Sequence, residues 1–150
     1  MSARTILILS SMLVVLALRA PVPVLAQQAV GSAQAAPASP DVQKRGGISY
    51  VSGGVGDDSA RAMKEIANQF NLQITLAGPN GEYLAATRLQ IQDGSGKTVL
   101  AATSDGPLFY AALPAGEYKI QAMAPQGEAK TSTVTVSKTG HATVLIHLSA

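Results

Sequence analysis

The sequence contains no cysteine and no tryptophan, and it has only two histidines. Without cysteine, the chain cannot form a disulfide framework, a thiol nucleophile, an Fe–S cluster or a cysteine zinc site. It also lacks the cysteine to which a bacterial lipoprotein attaches its lipid. His141 and His147 would lie roughly 20 Å apart on an extended chain at ~3.3 Å per residue, which is too far to share one metal ion. We therefore expect no metal and no cofactor.

Charged residues are also scarce, at 13% of the 150 residues, with eleven basic and nine acidic side chains. Lys44 and Arg45 are the only adjacent basic pair. Binding to nucleic acid through its phosphates needs several clustered lysines and arginines. We expect no nucleic-acid partner, and the length allows at most one domain of ordinary size.

Residues 1–26 have the features of an export signal. Arg4 provides the positive start, residues 6–18 form an apolar run, and Val24 and Ala26 supply the small or modest side chains of a cleavage site. The apolar run is shorter than the roughly 20 residues that a membrane-spanning helix requires, which favours cleavage after about Ala26 over an uncleaved anchor. We expect a periplasmic or secreted protein with no transmembrane segment once the signal is removed.

Residues 27–46 are dominated by Gln, Ala, Ser, Pro and Gly and show no hydrophobic periodicity. Such a segment cannot bury enough apolar surface to offset the entropy lost on ordering it. We predict a disordered linker here and a folded domain over residues 47–150.

Turn signals recur through most of the folded part. They combine Gly with Pro, Asn, Asp or a small polar residue, at residues 78–81, 93–96, 104–107, 114–116, 125–127 and 138–140. Between the turns, apolar and polar side chains alternate, which places one face of each segment on a core. The apolar positions are Leu72, Ile74, Leu76, Leu89, Ile91, Tyr118, Ile120, Ala122, Val134, Val136, Val144, Ile146 and Leu148. The pattern predicts a mainly β protein, an antiparallel β-sandwich of six to eight strands, with residues 131–136 as the best candidate for an open sheet edge.

One segment departs from this rhythm and predicts a single N-terminal α-helix over about residues 57–70. Its apolar side chains recur at helical spacing, at Met63, Ile66, Ala67 and Phe70. Asp57 or Asp58 can cap the first turn, and Asn71 can end the helix.

The motif Leu113-Pro114-x-Gly116-x-Tyr118 follows an Asp-Gly turn and an apolar strand, and an alternating strand comes after it. This succession, together with residues 86–97, resembles the carboxypeptidase regulatory-like domain, a transthyretin-like (prealbumin-like), immunoglobulin-like β-sandwich. The resemblance covers residues 72–148. It implies the fold and a non-catalytic role. Hydroxyisourate hydrolases of the same fold end in Tyr-Arg-Gly-Ser, a motif that this chain lacks, so their activity does not carry over.

The segment before the predicted helix is unusual for that domain and supplies the candidate partner- or ligand-binding residues, which are Tyr50, Gly53, Gly54, Gly56, Asp57 and Asp58. It resembles the leader of small exported proteobacterial proteins that carry this domain alone. A Gly-rich turn before a helix can bind an anion, but two adjacent carboxylates would repel one. The loop is either a connector or a contact for a partner, and Tyr50 and Tyr83 are the better candidates for aromatic side chains at the surface.

The chain has no nucleophile elbow, complete P-loop or calcium loop. We therefore assign no catalytic residue and do not expect an enzyme. The sequence favours a non-catalytic exported module that binds an envelope protein or glycan. The alternatives are a structural or accessory subunit joined through a sheet edge, and a small enzyme whose site carries no recognisable motif.

Overall fold

The computed structural model describes residues 39–149. The predicted signal peptide, and the predicted linker up to residue 38, lie outside the described residues. Within residues 39–149, no helix is both long enough and apolar enough to span a membrane.

The described part of the chain is mainly β, as predicted, with nine strands and one short α-helix. The strands are β1 (Gln43–Arg45), β2 (Ile48–Gly53), β3 (Leu72–Ala77), β4 (Thr87–Asp93), β5 (Thr98–Ser104), β6 (Leu108–Ala112), β7 (Gly116–Met123), β8 (Ala129–Val136) and β9 (Ala142–His147). The helix α1 covers Asp57–Ile66 and continues as a single 3-10 turn over Ala67–Gln69.

The strands form two sheets. Sheet A has five strands in the order β1-β2-β6-β3-β9, and sheet B has four in the order β5-β4-β7-β8. Neighbouring strands are antiparallel except for β3 and β9, which pair in parallel. The edge position of β8 agrees with the edge predicted for residues 131–136.

The inner faces of the two sheets pack against each other and form the main core. Ile74 of sheet A and Ile91 and Ile120 of sheet B are completely buried in this one cluster. The alternation predicted for β3, β4 and β7 is therefore confirmed. Each buried Leu or Ile side chain contributes roughly 1.5–3 kcal/mol relative to an exposed one, which makes this shared core the main source of cohesion between the sheets.

The helix covers part of the outer face of sheet A. Met63 and Phe70 pack against Val51 of β2 and Tyr110 of β6 in a second buried cluster. The Phe70 and Tyr110 rings are 6.3 Å apart. The predicted apolar stripe is confirmed, although the α-helix ends at Ile66 rather than near residue 70.

Asn71 does more than end the helix. Its Nδ2 donates to the carbonyl of Leu113 (2.6 Å), and its Oδ1 accepts from the Leu113 N–H (2.8 Å). These two bonds hold the exit of the helical segment against the end of β6.

The strand count exceeds the predicted six to eight, and one strand arises where a linker was expected. β1 lies within residues 27–46 and pairs with β2. All three side chains of β1 are exposed. No hydrophobic pattern therefore marks the strand in the sequence, and backbone pairing with β2 holds it in the sheet.

Candidate functional site

The prediction that Tyr50 lies at the surface was wrong. Its side chain is only 4% exposed, and its ring stacks on Phe109 with centroids 5.5 Å apart. Its hydroxyl donates to Gln43 Oε1 (2.7 Å). Tyr50 therefore supports the core and the pairing of β1 with β2. The surface prediction for Tyr83 is confirmed, since this side chain is 73% exposed.

Gly53 and Gly54 carry the chain from β2 towards the helix. Gly54 is buried with a φ of +90°, and a β-carbon there would lie 2.9 Å from the side chain of Leu108. Its N–H donates to Ser59 Oγ (3.0 Å). Both the backbone conformation and the space at this position therefore require glycine.

Asp57 and Asp58 begin the helix but do not cap it. The N-cap residue is Gly56, and no side chain forms a capping hydrogen bond. Both carboxylates lie in the first turn, where they interact favourably with the helix dipole. Asp58 pairs with Arg61 at 3.7 Å, but both side chains are exposed, so the pair adds little stability.

The loop after β2 is fixed to the connection between β5 and β6. Ser52 Oγ donates to Asp105 Oδ2 (3.0 Å), and the Asp105 N–H donates to Ser52 Oγ (3.1 Å). Gly106 packs so closely on Gly53 that a β-carbon on Gly106 would overlap the Gly53 carbonyl. These contacts fix the position of the candidate loop, so it is not a loose connector.

This loop lies at one end of the sandwich, together with three other connections. The four segments are residues 54–58, 78–86, 105–107 and 124–128, and we call them the acidic end. They carry five carboxylates and neither Lys nor Arg, the carboxylates being Asp57, Asp58, Glu82, Asp105 and Glu128. Sequence order does not reveal this grouping, because strand pairing brings these segments together.

Exposed apolar side chains lie at or beside the acidic end. Val55 is 64% exposed and Leu145 is 56% exposed. Leu145 lies in one row of paired residues across four adjacent strands on the outer face of sheet A. The row consists of Gly53, Leu108, Thr75 and Leu145. Tyr83 forms a bridge with Ala77, which places it on the same outer face. The helix leaves this part of the face uncovered.

Perturbed ionisable groups lie away from the acidic end. Hydrogen bonds from the Ser95 hydroxyl and from backbone N–H groups hold the pKa of Asp93 below its usual value, while partial burial opposes this shift. Burial raises the pKa of Tyr110, and burial together with the charge of Asp93 raises that of Tyr118.

The two histidines occupy separate positions. His141 Nδ1 lies 2.8 Å from the Phe70 carbonyl, and His147 Nδ1 lies 3.4 Å from the Gly78 carbonyl. Among residues 39–149, no group of three or more His, Asp or Glu side chains is arranged to hold a metal ion.

No established protein-family model matches the chain. No curated protein matches it significantly.

Proposed function

We propose that this protein is a non-catalytic binding module that contacts a cell-envelope protein through the acidic end. The proposal rests on one observation: the acidic end combines five carboxylates with exposed Val55 and Tyr83 on connections held by the sandwich. Loops on a rigid scaffold are common recognition surfaces. The candidate residues Gly53, Gly54, Gly56, Asp57 and Asp58 belong to or adjoin this surface.

The apolar side chains favour a protein partner. Exposed large hydrophobic side chains that lie near one another mark contact surfaces more often than isolated ones do. Val55, Tyr83 and Leu145 are exposed around the uncovered part of sheet A. Fixed glycine contacts at Gly54 and Gly106 reduce the ordering cost that binding would otherwise carry.

The charge defines the chemistry of that partner. Five carboxylates, of which Asp58 is paired with Arg61, create a negative surface. A complementary partner therefore presents basic side chains around an apolar centre. Association should weaken as salt screens these charges.

The proposed location and family follow from the sequence. The signal-like residues 1–26 support a periplasmic or secreted protein that is cleaved after about Ala26. The motif around Leu113 and Tyr118 supports a carboxypeptidase regulatory-like domain. A β-sandwich with an extra N-terminal helix is compatible with both proposals.

A second candidate function is that of an accessory subunit joined through β8. This strand forms an edge of sheet B, and an edge strand presents unpaired backbone groups to a partner strand.

The test is capture from an envelope extract with the purified protein expressed from the full chain. We expect the wild type to retain a discrete partner that Val55→Ser/Tyr83→Ser and Asp57→Asn/Asp58→Asn both lose. Val42→Ser is the matched control, because Val42 is exposed but lies outside the acidic end. Thr135→Lys tests the edge of β8, since a lysine on an edge strand disfavours strand addition.

Retention of the partner by both acidic-end variants would contradict the proposal. Loss with Thr135→Lys alone would favour the accessory-subunit function instead. We expect about 0.5 M salt to elute the captured partner from the protein, because the screening length of charge interactions is then only a few ångströms.

A further inference from the structure

A polar groove crosses the outer face of sheet B and adjoins the acidic end, which contributes part of its lining, namely Ala86, Asp105, Ala124, Pro125 and Gly127. Two cavities of about 580 and 530 Å³ meet there. Both are lined by Arg88, Thr103 and Met123, so they form one continuous depression. Each volume lies within the range of about 300–1,000 Å³ that is usual for ligand sites.

The strand register places Arg88 at the centre of this groove. Arg88 of β4 is paired with Thr103 of β5 on one side and with Met123 of β7 on the other. The next row on the same face contains Gln90 and Gln121. The groove therefore extends from the edge strand β5 across β4 to β7.

Several hydrogen-bond donors line the groove. Arg88 is exposed and forms no ion pair with any residue between 39 and 149. Arg45 reaches over from β1 and donates to the Ala101 carbonyl (2.6 Å), which fixes its guanidinium beside the groove. Gln43 uses its carbonyl oxygen to accept from Tyr50, so its amide N–H groups remain to donate.

Asp105 is the only carboxylate that lines either cavity, although the groove adjoins the other carboxylates of the acidic end. Its side chain already accepts a hydrogen bond from Ser52. A ligand rich in acceptors and carrying a carboxylate would match the free guanidinium of Arg88, because arginine binds carboxylates through two parallel hydrogen bonds.

We propose that this groove binds a carboxylate-bearing glycan chain, with Arg88 contacting the carboxylate. A glycan fits better than an acidic peptide because Met123 is the only large exposed apolar side chain in the lining. The inference rests on Arg88 and its neighbours in the groove and does not require the protein-binding function proposed for the acidic end.

The test is calorimetric titration of the purified protein, expressed from the full chain, with uronic acid hexamers. We expect binding that weakens at least tenfold in Arg88→Gln and severalfold in Gln121→Ala. Arg61→Gln is the matched control, because Arg61 is an exposed arginine on the helix, remote from sheet B. This variant should bind within twofold of the wild type, and a neutral glucose hexamer should not bind measurably.

Three results would overturn the proposal. One is the absence of uronic acid binding at millimolar concentration. Another is equal loss in Arg88→Gln and Arg61→Gln, which would indicate only general charge attraction. The third is binding of oligoglutamate as tight as that of the uronic acid hexamer, which would assign the groove to an acidic peptide.

Discussion

Replacing Gly106 by alanine should lower the stability of the protein, because Gly106 packs directly against Gly53 and so joins the candidate loop to the rest of the fold. A β-carbon here would overlap the backbone carbonyl of Gly53 and lie 3.1 Å from its Cα. The obstacle is backbone, so no side-chain rotation can relieve it. Overpacking of this kind costs about 1–3 kcal/mol, and we expect a value near the upper end. The corresponding fall in Tm is about 8–12 °C for a domain of this size.

Gly94→Ala supplies the matched control. A β-carbon at Gly94 meets only the Glu117 carbonyl, at 3.9 Å, which is an ordinary contact. The alanine also reduces the freedom of the unfolded chain, so this variant should be unchanged or more stable by about 0.4–1 kcal/mol. Urea denaturation of both variants and the wild type measures the difference. Equal stability of Gly106→Ala and Gly94→Ala would refute the close packing of residues 53 and 106.

Three further predictions concern hydrogen bonding. Asn71→Ala removes both hydrogen bonds to Leu113 and should lower the free energy of unfolding, measured by urea denaturation, by about 2 kcal/mol. A loss below about 0.5 kcal/mol would show that these bonds contribute little. Thr87 is completely buried and its hydroxyl has no hydrogen-bond partner. Thr87→Val should therefore raise Tm by the equivalent of about 1 kcal/mol. A lower Tm would show that the hydroxyl does have a partner. The pKa of Asp93 is lowered in the folded protein, mainly by the Ser95 hydroxyl. The ionised Asp93 side chain therefore stabilises the fold fully above its unfolded-state pKa. This stabilisation is lost as pH falls through the lower folded-state pKa. Asp93→Asn should therefore lower the urea midpoint at neutral pH and reduce its further decline in acid, and an unchanged acid profile would exclude this contribution.

The architecture of the sandwich could be predicted because its strands carry a local signal. Leu72, Ile74 and Leu76 alternate with polar side chains, and all three are completely buried. A half-buried strand imposes this period of two on its sequence. The helix was predictable for the same reason, since Met63 and Phe70 mark its buried face.

Other features depend on contacts that leave no local pattern. β1 is short and exposed, so only its pairing with β2 reveals it as a strand. In β2, Tyr50 faces the main core while its neighbour Val51 is buried beneath the helix. Burial on both faces removes the alternation that would have identified Tyr50 as a core residue.

The candidate site was only partly predictable. The glycines before the helix and the two aspartates in its first turn indicated this segment as a candidate site, and contacts with Asp105 and Gly106 fix its position. The contribution of Asp105 comes from its bond to Ser52, 53 residues away along the chain. The groove around Arg88 similarly depends on three strands whose order a single sequence does not disclose.

Site-specific photo-crosslinking in the source organism tests the central claim most directly. A photoreactive amino acid replaces Val55 in one version of the protein and Thr133 in another. Both side chains are exposed, but Thr133 lies on β8 of sheet B, outside the acidic end. We expect a discrete crosslinked protein from position 55 and none from position 133. No crosslink at position 55, or the same crosslinked protein from both positions, would contradict the proposal that the acidic end is the contact surface.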